Sequence, residues 1–100
     1  MGAEVFFHAT EGKNVQEAFR KAVEEAAYDH GHSGYTGTIA EKLDYVVIEC
    51  PKGREPYEYA DDLINNGDKR IDDKWGPAGA IKLKPMDGSN MWLFFGWASS

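Results

Sequence analysis

The sequence predicts a single α+β domain, built from strand–helix–strand units in tandem, and three observations lead there. First, the chain echoes itself: Val5-Phe6-Phe7, Gly12, an apolar-periodic run, a Gly-rich loop and Gly37-Thr38-Ile39 come first. Val46-Val47-Ile48, Gly53, a second such run, a loop and Gly79-Ala80-Ile81 then follow in the same order. Second, the apolar period switches between two and about 3.6 along the chain, as strands and helices require. Third, 100 residues at 42% hydrophobic and 13% aromatic content can fill one core and leave no room for a second. Residues 1–100 are therefore read as one domain.

Each element has its own signal. Glu4 to Thr10 reads as the first strand. Asn14 caps a helix and Glu17, three residues on, completes a capping box. Val15, Ala18, Phe19, Ala22, Val23, Ala26 and Ala27 then repeat along one helical face. His30 lies in the last turn, and Gly31 is a natural stop. Thr38–Lys42 and Tyr45–Cys50 read as two strands joined near Leu43-Asp44, with one long bent strand as the competing reading. Pro51, lacking an N–H, ends the pairing. Pro56 opens a second helix, whose inner face is Tyr57, Ala60, Leu63 and Ile64, and Asn65-Asn66-Gly67 closes it. Ala80–Lys84 and Met91–Trp97 are the last strands, joined by a turn at Met86-Asp87-Gly88-Ser89.

The order is β-α-β-β-α-β with one added C-terminal hairpin strand, the pattern of the ferredoxin-like split βαβ sandwich. Both helices are then expected on one face of a mostly antiparallel sheet. If Thr38–Cys50 is one strand, the order becomes β-α-β-α-β-β.

That architecture leaves one sheet face open. Alternation puts Val5, Phe7, Ile39, Val46, Ile48, Leu93 and Phe95 toward the helices. Phe6, His8, Thr10, Thr38, Ala40, Tyr45, Val47, Glu49, Trp92 and Phe94 are expected on the open face, which is too apolar to be left wet. A homodimer, a small ligand or a covering loop would each bury it. The candidate binding residues are Phe6, His8, Tyr35, Tyr45, Glu49, Trp92 and Phe94. His8 beside Glu49 is a candidate proton-transfer pair, since a histidine titrates near neutrality and a carboxylate can orient it.

Other motifs point to less. The loop from His30 to Thr38 has Gly31, Gly34 and Gly37 for close backbone approach, but it follows a helix C-terminus, where the dipole disfavours anions. No G-x-x-x-x-G-K-[ST] or G-x-G-x-x-G pattern occurs, so no cofactor is expected. Asp29, His30 and His32, with His8, lack the fixed spacing of a metal site, and no metal is expected. His8-Ala9-Thr10 matches one H-x-[ST] motif, whereas two-histidine phosphoesterases need two. Gly12–Arg20 is similar over one short segment to the loop of the acylphosphatase family, but Glu17 stands where the anion would lie.

The formal net charge of −6, with arginine only at positions 20, 54 and 70, argues against nucleic-acid binding through phosphates. No apolar stretch is long enough to span a bilayer, and no signal segment is visible at the N-terminus. The lone Cys50 cannot form an internal disulfide, so a cytoplasmic location is expected. The reading that emerges is a small homodimeric binding module using the open sheet face. Two rivals stand beside it: a small dimeric α/β-barrel enzyme with His8 as general base, and a monomeric protein-binding inhibitor or adaptor using Trp92 and Phe94.

Overall fold

The computed structural model describes residues 2–30 and 36–99. The elements are β1 (Ala3–Glu11), α1 (Val15–His30), a 3-10 turn (Ile39–Glu41), β2 (Tyr45–Val47), α2 (Pro56–Asn65), β3 (Ala78–Leu83) and β4 (Met91–Ser99). They form an α+β fold with a four-stranded mixed sheet of order β1-β4-β3-β2. β4 is antiparallel to both β1 and β3, and β2 is parallel to β3. The order of regular elements is therefore β-α-β-α-β-β, the second of the two expected from the sequence.

The reason differs from the one expected, because Thr38–Cys50 is not a continuous strand. Thr38 Oγ1 accepts from the Ala40 amide at 3.2 Å, and the Lys42 amide donates to the Ile39 carbonyl at 2.9 Å. This side-chain cap turns the backbone into a 3-10 helix where alternation alone suggested a strand. Pairing resumes only at Tyr45, and one further bond, from the Ile48 amide to the Ala80 carbonyl, extends it past β2.

The helices do not share a face. Ala18, Ala22 and Ala26 of α1 pack with Phe6, Ala78, Ala80, Phe94 and Ala98 of the sheet. Ala60, Leu63 and Ile64 of α2 pack with Ile81, Leu93 and Phe95. Phe94 alternates with Leu93 and Phe95 along β4, so these two cores lie on opposite sides of the sheet. This corrects the expected split βαβ sandwich with one open face, and the cause is topological. β1, β2 and β3 all run in the same direction. The α1 crossover carries the chain from the β1 edge to the β2 edge, and the α2 crossover carries it one strand back. Two crossovers of one hand that travel in opposite directions must pass over opposite faces.

Close approach depends on small residues. The alanines of α1 recur at every fourth position, which lets the helix lie near the sheet. A Cβ at Gly12 would stand 2.5 Å from the Ala18 amide nitrogen, and one at Gly79 would stand 2.6 Å from the Phe95 ring. α1 begins as expected, with Asn14 Oδ1 accepting from the Glu17 amide at 2.9 Å. At α2 it is Glu55 that caps, its carboxylate accepting from the Glu58 amide at 2.9 Å, with Pro56 following. Tyr57, expected inside, is exposed and lies beside Phe7, with ring centroids 6.4 Å apart.

One buried cation fixes the connection into β3. Lys42 is 3% exposed. Its ammonium donates to the carbonyls of Gly76 at 2.8 Å, Lys74 at 3.1 Å and Asp73 at 3.4 Å. Burial lowers its pKa, and the nearby Asp73 carboxylate opposes that shift. The same connection holds the Asp68–Arg70 pair, in which both guanidinium contacts are 2.9 Å and the Arg70 amide adds a third bond.

Replacing Lys42 by Met keeps the aliphatic stem and leaves three carbonyls without their donor. We expect a loss of about 1–3 kcal/mol, read from urea unfolding. Hydrogen bonds from Arg70 hold the Asp68 carboxyl at about 2, below its ordinary 3.8. Its contribution to stability is therefore complete above pH 3.8 and is lost as the pH falls through about 2. In acid titrations of the folded fraction, Asp68→Asn is expected to lack that part of the slope.

Candidate functional site

α1 covers the part of the expected open face that holds Phe6 and Phe94, and the expected site residues are dispersed. Phe6 and Phe94 are buried beneath α1. Tyr45 is half-buried against Phe19, with centroids 5.0 Å apart, and stands edge-on to Phe94 at 6.4 Å. A fully buried Phe94 cannot contact a partner, which removes one of the two anchors of the adaptor reading. Tyr35 and His32 lie outside the described residues.

His8 and Glu49 do not meet. His8 is on β1 and Glu49 follows β2, at opposite edges of the sheet. The carboxylate beside His8 is instead Glu25 of α1, at 3.0 Å from Nε2. That hydrogen bond is the main cause of a lowered Glu25 pKa, with Thr10 assisting and burial opposing. Sequence reasoning missed the pair because it placed α1 on the other face. The cleft around it, with Glu24, Glu25, Tyr28 and Asp29, is acidic.

A larger groove of about 920 Å³ runs beside α1 between Asn14 and Tyr45. Its charges are mixed, with Arg20 set against Glu17, Glu24 and Asp44. The ammonium of Lys42, which also borders it, is already engaged by three carbonyls. Nothing there favours one sign of ligand.

The groove at the carboxyl ends of β2 and β3 is different. It measures about 630 Å³ and is lined by Val47, Glu49, Cys50, Lys52, Arg54, Lys82, Lys84 and Trp92, among others. Lys82 pairs with Trp92 across β3 and β4, so the lysine and the indole share one face. Lys84, two residues on, follows Lys82 on that face, and the loop from β2 to α2 brings Lys52 and Arg54 to the same rim. Cys50 Sγ donates to the Arg54 carbonyl at 3.3 Å and shapes that loop from within. Arg54 turns away to pair with Asp62 and lies 5.5 Å from the Tyr59 ring centroid. Among the described residues, Lys52, Lys82 and Lys84 have no ion pair within 4 Å.

This groove was only partly visible in the sequence. The alternation Ile81-Lys82-Leu83-Lys84 puts both lysines on one face, and Trp92 and Glu49 were already singled out. Lys52 and Arg54 join them only through the parallel pairing of β2 with β3, which residue pattern does not reveal. No family model, curated protein or solved structure matches this chain. No helix among the described residues is long and apolar enough to cross a membrane.

If the His8 hydrogen bond holds the Glu25 carboxyl down, His8→Ala should move it up toward its ordinary value. Carboxyl-carbon NMR titration of the two proteins is expected to show that upward shift, with the other glutamates unmoved.

Proposed function

We propose that this chain is a small binding module that takes a compact anionic ligand, such as a phosphorylated small molecule, at the carboxyl ends of β2 and β3. One observation carries the reading. In a chain of net charge −6 with only 11 lysines and arginines, four of them line this one groove. Among the described residues three of the four have no ion pair, and Glu49 is the one carboxylate lining the groove beside them. The excess of like charge repels, and an anion between the lysines removes that repulsion while gaining charge-assisted hydrogen bonds. The surrounding negative surface weakens long-range attraction elsewhere, so the groove stands out as a local positive field.

Position supports the same reading. In open sheets with parallel strands, ligands bind beyond the carboxyl ends of those strands, where loops can vary without disturbing the core. Trp92 adds an apolar wall beside the lysines, suited to a ligand with a flat or apolar part next to its charge. Glu49 on the opposite rim can accept a hydrogen bond from a hydroxyl or amine of the same ligand. The lysines supply a few point charges, enough for a compact anion and too few to follow a nucleic-acid backbone.

Titration of the ¹⁵N-labelled protein with inorganic pyrophosphate at constant ionic strength tests this. Saturable amide shifts are expected at Cys50–Arg54, Lys82–Lys84 and Trp92. The double variant Lys82→Glu/Lys84→Glu, both positions being exposed, should bind at least about tenfold more weakly with an unchanged melting temperature. Unsaturable shifts spread over the surface, or affinity unchanged by the double reversal, would overturn the proposal.

A further inference from the structure

The two edges of the sheet are not alike. At one edge β2 is three residues long and is followed by Pro51, two of the devices that keep strand edges from pairing. At the other edge β1 runs for nine residues with no proline, and its register with β4 is unbroken from Ala3↔Ser99 to Glu11↔Met91. Half of its backbone N–H and C=O groups point away from β4. Among the described residues no loop backbone bonds to any of them. Beside this edge, α2 leaves Val5 and Phe7 uncovered, at 38% and 41% exposure.

We infer that β1 pairs antiparallel with β1 of a second copy of this chain, about a two-fold axis through Phe7, joining the two sheets into one. An axis perpendicular to the sheet is the symmetry that makes two identical edges antiparallel while keeping each face on its own side. Centring it on Phe7 uses all nine residues and sets them in a self-complementary register. Phe7 meets Phe7 and Val5 meets Ala9, which closes the exposed apolar strip. Glu4 faces Thr10 and Glu11 faces Ala3, so no carboxylate lies directly opposite another, the arrangement antiparallel pairs avoid. A second copy fits better than an arbitrary extended peptide, because the strand's own pattern supplies its complement. This dimer uses the edge of the sheet, whereas the sequence suggested a face, and it does not depend on the basic groove.

Sedimentation equilibrium over a concentration series is expected to show the mass rising from 11.2 kDa toward twice that value. In a Cys50→Ser background, Phe7→Cys should then cross-link to a disulfide dimer under mild oxidation, because the axis puts that position opposite itself. Leu43→Cys, exposed and remote from β1, should not. The inference is overturned if the wild-type protein stays monomeric throughout. It is also overturned if a dimer forms but Phe7→Cys cross-links no faster than Leu43→Cys. The wild-type mass decides the first point whether or not a variant folds.

Discussion

Both faces of this sheet are buried because its two crossovers share a hand and travel in opposite directions. α1 must span the whole sheet from β1 to β2, and α2 returns by a single strand to β3, so each helix is confined to its own face. The rest follows from that confinement. Ala18, Ala22 and Ala26 bring α1 down over Phe94, while Leu63 and Ile64 of α2 meet Leu93 and Phe95 from the other side. β4, covered by both helices and paired on both edges, becomes the centre of the molecule. Its run of apolar residues is what a strand buried on two faces requires.

The same constraint leaves free only what the helices do not reach. The carboxyl ends of β2 and β3 project beyond α1, and there Lys82 and Trp92 come to the surface where Ala80 and Phe94, two residues deeper, are core. On the opposite face α2 lies over β3 and β4 and falls short of the outer strand, so Val5 and Phe7 remain half exposed. Lys42 stabilises this layout by tying the turn before β2 to the segment that enters β3. Its ammonium substitutes for the sheet bonds that neither loop can make.

Much of the local structure was legible in the residues. α1 could be read from its alanine stripe and Asn14 cap, α2 from Pro56 and its Ala60–Ile64 face, and all four strands from their apolar patterns, with Thr38–Lys42 read as a strand in excess. Thr38 misled because its hydroxyl, by capping the Ala40 amide, overrides a pattern that otherwise reads as strand. The placement of the helices was not legible, because period-two alternation tells which residues share a face but not which helix covers it. Trp92 and Phe94 were rightly put on one face, but α1 covers Phe94 and leaves Trp92 at the surface. Reading the whole face as open also misplaced the partner of His8, which is Glu25 of the covering helix. Half of the basic groove could be read from β3 alone. The other half needed the parallel pairing of β2, a contact set by topology.

The arrangement of helices is tested most directly by aromatic and methyl nuclear Overhauser effects in the labelled protein. Cross-peaks are expected between the rings of Phe19 and Phe94, whose centroids are 5.6 Å apart, and between the Leu63 or Ile64 methyls and the Phe95 ring. Cross-peaks from Phe19 to Phe95 or Leu93, on the side occupied by α2, would contradict the account and restore an open sheet face.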